Sequence, residues 1–272
     1  MEKDSLYYKL ITKHKNTKIW NKKVNETKKG ISMTYNQLNL RVNKIFKYFS
    51  NLEFQEKDIF LFISNNNIYY IIILLTAILN KNIITGISPD IILKKQYDII
   101  KYYINYTKCK ILFISKYLKK NISEFLINNN NFKYLEKIII IDDFIEGCDD
   151  FIIYNNKKLI NNIFENNTFG LFFTSGTTGK PKGCIHTHKN IISALKIYNK
   201  TYLYNTDCYV LSTTTWLGAY GMLHGVLGPL YNGMIIVTDN MKEKISNYNN
   251  PIKLTFKPTP PSVEIQKYKP LP

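Results

Sequence analysis

The sequence predicts an α/β protein whose mostly parallel sheet is flanked by helices, and three observations carry that expectation. Short apolar runs rich in Ile, Phe and Tyr recur along the chain at the length of buried strands. Segments with apolar residues at helical spacing stand between them, and strands separated by helices favour parallel pairing. Finally, 45% of the 272 residues are hydrophobic and 14% aromatic, enough for a large core and enough to exclude a disordered or fibrous chain. The length suits one large domain or two small ones.

Thr34-Tyr-Asn-Gln37 reads as a capping box, since a hydroxyl and an amide three residues apart satisfy two backbone donors reciprocally. Leu38, Val42, Ile45 and Phe49 follow at spacings of 4, 3 and 4, the inner face of a helix. Residues 58–64 (DIFLFIS) form a strand, and residues 68–80 a helix apolar on every side. Ile83–Ile87 is a strand, and Pro89-Asp90 opens one helix with Leu93, Tyr97, Ile100 and Ile104 inward. Strands follow at 110–115 and 137–142. After a polar stretch, Phe169–Thr174 is a strand and His188–Leu203 a helix with Ile191, Leu195, Tyr198 and Tyr202 inward. Cys208–Ser212 and Met234–Thr238 complete the strands. There is no internal repeat, and residues 143–168 are the candidate linker or surface insertion.

The formal net charge is +17, from 37 Lys+Arg and 20 Asp+Glu, densest between Lys13 and Lys29. Such charge attracts polyanions, but no helix-turn-helix, RNP motif or zinc-finger spacing accompanies it. The lysines share their excess with Asn, Ile and Tyr, so they read as a solvated surface in a chain with biased residue usage. The same bias accounts for the Asn runs at 65–67 and 128–131, read as loops. A basic nucleic-acid-associated protein is the least favoured of three readings. Four cysteines, at 109, 148, 184 and 208, make no CxxC motif and suit a reducing compartment. The longest apolar run, Ile68–Leu79, is shorter than the ~20 residues that cross a bilayer. No signal peptide is apparent, so the expected location is cytoplasmic.

Chemistry is concentrated in Thr174-Ser-Gly-Thr-Thr-Gly-Lys-Pro-Lys-Gly183, between a predicted strand and a predicted helix. Gly176, Gly179 and Gly183 permit unusual φ angles and close backbone approach to a ligand. Ser175, Thr177 and Thr178 supply hydroxyls beside Thr174, and backbone N–H groups can line a concave anion nest. Lys180 and Lys182 add two positive charges, and Pro181 stiffens the turn between them. Each feature favours a bound polyphosphate. It is not a Walker A loop, because Thr174 stands at the first glycine and Pro181 replaces the hydroxyl residue. No GxGxxG follows a strand, so a dinucleotide fingerprint is absent too.

With these residues the chain resembles the adenylate-forming superfamily of AMP-dependent acyl-CoA synthetases, luciferases and peptide-synthetase adenylation domains. LFFTSGTTGKPKGCIHTHKN (171–190) is similar to its phosphate-loop signature, including the Thr-His at Thr187-His188. Thr34-Tyr35-x-x-Leu38 is similar to its first core motif. LLTAILNKNIITGISPD (74–90) is similar to its L-x-A-x-x-x-G-x7-P segment, with Asn80-Lys81 in place of the common Ala-Gly pair. TTTWLGAYGMLHGVLGPLYNGMIIV (213–237) is similar to the segment bordering the acyl pocket.

The resemblance implies an acid–thiol ligase of fatty acid metabolism that converts a fatty or short-chain carboxylic acid to its CoA thioester through an acyl adenylate. ATP, Mg2+ and coenzyme A are the cofactors and co-substrates it implies. Thr174–Gly183 would hold the β- and γ-phosphates, with Lys180, Lys182 and Mg2+ offsetting charge on departing pyrophosphate. Trp216, Leu217, Gly218 and Tyr220 would border the adenylate or acyl chain. His188 has two open roles, near the site or capping the helix it begins. His186, two residues away, does not share a metal with it, and no metal site is expected. His224 reads as a core histidine. Residues 1–29 are expected to be a basic N-terminal segment and 30–272 an incomplete AMP-binding N-terminal domain. The sequence holds no Tyr-Gly-x-Thr-Glu, no Ser/Thr-Gly-Asp and no late catalytic Lys, so no catalytic residue is assigned. The expectation is a fragment without the mobile C-terminal domain, and without turnover by itself. A non-catalytic nucleotide-binding relic is the alternative. Gly228-Pro-Leu-x-Asn-Gly233 and Thr213-Thr-Thr-x-Trp lean toward short- to medium-chain acids.

Overall fold

Side-chain caps start several of the helices close to where the apolar periodicity predicts them. The computed structural model describes residues 3–18, 23–26, 32–127, 132–142, 151–153, 167–174, 181–201, 206–212 and 214–238. All belong to the compact unit Met1–Asp239. The elements begin with α1 (Leu6–Leu10), β1 (Lys23–Glu26), β2 (Ser32–Thr34), α2 (Tyr35–Asn51), β3 (Ile59–Ile63), α3 (Ile68–Leu79) and β4 (Ile83–Gly86). Next come α4 (Pro89–Leu93), α5 (Tyr97–Thr107), β5 (Ile111–Ile114), α6 (Lys119–Ile127), β6 (Lys137–Ile140) and β7 (Phe151–Ile153). Last are β8 (Thr168–Thr174), β9 (Lys182–Thr187), α7 (His188–Thr201), β10 (Tyr209–Leu211), α8 (Ala219–Met222), α9 (Gly228–Asn232) and β11 (Ile235–Val237).

The predicted box caps α2: Thr34 N–H donates to Gln37 Oε1 at 2.8 Å, and Gln37 N–H to Thr34 Oγ1 at 3.2 Å. Leu38, Val42, Ile45 and Phe49 are buried as expected. Asn67 caps α3, accepting from Tyr70 N–H at 2.7 Å. Every residue of α3 from Tyr70 to Ile78 is buried, so a helix without a polar face is a core helix here.

The larger sheet runs β7-β6-β5-β3-β4-β8-β9. β6, β5, β3, β4 and β8 are parallel, and β7 and β9 close its edges in antiparallel pairing. Period-two alternation sends Phe60, Phe62, Ile111 and Phe113 to one face, against α2 and α3, and Ile59, Leu61, Leu112 and Ile114 to the other, with Ile92, Ile104 and Phe125 of α4, α5 and α6. The result is a sheet covered by helices on both sides, as predicted. A second sheet, β10-β11-β1-β2, is parallel except between β1 and β2. The segment before residue 30 thus contributes a strand to it, and Leu6, Tyr7, Leu10 and Ile11 to the core.

Three elements differ from the sequence reading. The helix expected from Pro89 through Ile104 is two, because Lys95 turns left-handed at φ 54° after α4. Leu93 is consequently 48% exposed, and Ile92 is buried instead. Residues 182–187, expected as the approach to a helix, form the edge strand β9. Within the candidate linker, β7 pairs with β6, while 143–150 and 154–166 lie outside the described residues. Tyr202 also lies outside them.

Candidate functional site

Parallel strands direct their carboxyl ends to one edge of the larger sheet, where ligands bind in open α/β folds. Thr174 ends β8 on that edge, and Lys182 begins β9 directly opposite it in the antiparallel register. The segment 174–182 therefore leaves and re-enters the sheet at its carboxyl edge. Ser175, Gly176, Thr177, Thr178, Gly179 and Lys180 lie outside the described residues. Both roots are exposed at Thr174 and Lys182.

Helix α5 fixes the base of this hairpin. Tyr102 donates its hydroxyl to the Pro181 carbonyl at 3.0 Å. The rings of Tyr103 and Tyr106 lie 4.2 and 5.4 Å from that of Phe173. Gly183 fits between Leu171 and Tyr106, where a Cβ would come within 3.2 Å of each.

A second segment, 214–218, crosses the same edge above β3 and β4. Asn66, just past β3, donates its amide to the Thr214 carbonyl at 2.8 Å and accepts from Trp216 N–H at 3.0 Å. Tyr70 donates its hydroxyl to the Trp216 carbonyl at 3.3 Å. Gly86, at the carboxyl end of β4, makes room for Leu217, which a Cβ would meet at 2.9 Å. Trp216 and Leu217 are consequently buried, while Gly218 is open, with nothing within 4 Å of where its Cβ would be. Tyr220 is 67% exposed beside His224, ring centroids 4.3 Å apart. His224 is half-buried between Tyr220 and Tyr198, and burial lowers its pKa.

Of the residues expected at the site, Thr174, Lys182, Trp216, Leu217 and Gly218 thus share one edge of the sheet. His188 does not join them. Its N–H bonds the Asn167 carbonyl, and the register pairs Thr187 with Thr168 at the start of β8, about 20 Å of strand from Thr174. Nor does His188 cap α7. Thr187 does, exchanging bonds with Asn190 at 3.0 and 3.1 Å. His186 packs edge-on to Phe172 within β9. Cys109, Cys184 and Cys208 are free thiols, and Cys148 lies outside the described residues.

Asn66 and Tyr102 are not apparent from sequence. The run 65–67 is a connection, as expected, but each side chain in it is committed. Asn65 accepts from Ser115 Oγ at 2.9 Å, Asn66 holds the segment above, and Asn67 caps α3. The signal that points to Asn67 is its place before an apolar helix.

The model of the family described as AMP-binding enzyme matches residues 13–262. A probable CoA ligase, CCL5, of Humulus lupulus is 24% identical over 214 residues, 76% of this chain and 38% of that protein. Malonate–CoA ligase of Arabidopsis thaliana is 34% identical over 61 residues, 22% of this chain and 10% of that protein. The crystal structure of apo MatB from Rhodopseudomonas palustris superposes with a TM-score of 0.68 at 14% identity, over 90% of this chain and 47% of that one. The chain spans about half the length of that structure. No helix among the described residues is long and apolar enough to cross a membrane.

Proposed function

This chain belongs to the AMP-binding enzyme family, and from that premise we propose that it carries the phosphate-gripping part of an AMP-forming carboxylate–CoA ligase. In that reaction a carboxylate oxygen attacks the α-phosphorus of ATP, the bond to the bridging oxygen breaks, and pyrophosphate leaves. The thiolate of coenzyme A then takes the acyl carbon from the adenylate, and AMP leaves.

Residues 174–183 hold the β- and γ-phosphates in this reading. Backbone N–H groups and the hydroxyls of Ser175, Thr177 and Thr178 donate, while Lys180 and Lys182 offset the charge growing on pyrophosphate. Trp216, Leu217, Gly218 and Tyr220 border the adenylate or the acyl chain, and the acid is of short to medium chain. Mg2+ would arrive with the nucleotide. No three His, Cys, Asp or Glu side chains among the described residues are grouped to hold a metal, so no step is assigned to it. The supporting observation is placement: the loop roots and the 214–218 segment both lie at the carboxyl edge of one mostly parallel sheet.

Calorimetry with ATP, inorganic tripolyphosphate and AMP tests the reading. ATP and tripolyphosphate should bind and compete, AMP should bind far more weakly, and Lys182→Ala should weaken ATP about tenfold through loss of a charge-assisted hydrogen bond. Binding of AMP as tight as that of ATP, or an unchanged Lys182→Ala variant, would refute it.

A further inference from the structure

We propose that Asn66 is a positioning residue that seats the 214–218 segment as one wall of the acyl-adenylate site; this rests on the functional reading above. Among the described residues, segment 214–218 is paired to no neighbouring strand. Two of its backbone groups, the Thr214 carbonyl and the Trp216 N–H, are instead both bonded by the amide of Asn66, the carbonyl accepting from Ser212 Oγ as well, at 3.1 Å. A carboxamide presents one donor and one acceptor side by side, so it replaces the pair of bonds an adjacent strand would offer. Tyr70 takes the Trp216 carbonyl from below, and the absence of a Cβ on Gly86 admits Leu217. These contacts bury Trp216 and Leu217 and leave Gly218 open directly after them, where an added methyl group would meet nothing within 4 Å. Asn66, on the β3–α3 connection, holds the depth of Trp216 and hence the place of Gly218 together with Tyr70 and Gly86.

The chemistry of Asn66 is specific to the amide. Asn66→Asp keeps an acceptor for Trp216 N–H but sets a carboxylate oxygen against the Thr214 carbonyl. Asn66→Ala removes both bonds while leaving the cap at Asn67 and the bond of Asn65 in place. Because the phosphate loop is rooted on β8, β9 and α5, neither substitution touches its supports.

The test compares two probes on the 272-residue chain: tripolyphosphate, which reads the loop, and hexanoyl-sulfamoyladenosine, a stable analogue of an acyl adenylate. Asn66→Ala and Asn66→Asp should each weaken the analogue about tenfold and leave tripolyphosphate unchanged. In a Trp20→Phe background, the emission of Trp216 should move to longer wavelength in both variants. Equal weakening of both probes would mark a general structural role and overturn the proposal. So would an analogue affinity indifferent to Asn66, or a wild-type chain that binds tripolyphosphate but not the analogue. A wild-type chain that binds neither probe removes the functional reading itself, and this inference with it.

Discussion

His188 and His14 are held neutral by their surroundings. Burial first, and Lys81 second, lower the pKa of His188 to about 4, with its ring edge-on to Phe169 at 5.4 Å. Burial likewise lowers His14 to about 4, against a 2.9 Å bond between its Nε2 and the Leu230 carbonyl that pulls the other way. In the unfolded chain both rings protonate near pH 6.5. Below that pH the unfolded state binds more protons than the folded one. The stabilisation is therefore complete above pH 6.5 and is lost as pH falls toward 4, at up to roughly 1.4 kcal/mol per pH unit for each ring. His188→Phe keeps the edge-on contact and removes the titration of this one ring. Urea denaturation at pH 7 and pH 4.5 should show a fall in stability roughly 2 kcal/mol smaller in the variant than in the wild type. Equal falls would show that His188 is not held neutral. The same scale explains what the sequence conceals. Lys182 and Thr174 are legible because their motif is contiguous, whereas Asn66 meets partners 148 and 150 residues away and Tyr102 one 79 residues away.

Element boundaries follow local capping chemistry where that chemistry is written in short range. The boxes at Thr34/Gln37 and Thr187/Asn190 both lie within four residues, yet only the first is plain in the sequence, because the family's Thr-His pair makes His188 read as a functional residue. The C-terminus of α3 shows the reverse case. Asn82 N–H bonds the Ala77 carbonyl at 2.9 Å and Lys81 N–H the Ile78 carbonyl at 3.3 Å, the two bonds of a Schellman cap. Its left-handed residue is Lys81, at φ 58°, where the family pattern has Gly. A non-glycine residue there costs roughly 1–2 kcal/mol, and the exposed pair of Lys81 with Glu56 at 2.9 Å offsets under about 1 kcal/mol of it. Lys81→Gly should therefore stabilise the protein by about 0.5 kcal/mol in urea denaturation, and destabilisation would contradict this reading of the cap. The break between α4 and α5 carries no such signal. Lys94, Lys95 and Gln96 are adequate helix formers, so nothing local marks the left-handed turn at Lys95 that buries Ile92 and exposes Leu93.

At the scale of the whole molecule, alternation of apolar strands and helices is enough to give the layered sheet, because each buried strand must present both faces to helices. The second sheet is not legible in the same way. Its β1 joins β2, a neighbour in sequence, to β11, more than two hundred residues on, and no local pattern encodes that pairing. The sequence contains none of the family's ribose-binding Asp, Thr-Glu or late Lys motifs. These 272 residues assayed by themselves should therefore show no ATP–pyrophosphate exchange above background, and robust exchange would mean that residues assigned no role here perform the chemistry. Triphosphate gripping by residues 174–183 is tested most directly by hydrogen–deuterium exchange with and without Mg·ATP. Peptides covering 174–183 should exchange more slowly with ATP and with tripolyphosphate, and keep their free rate with AMP. Unchanged exchange in those peptides, with protection elsewhere in the chain, would overturn the assignment.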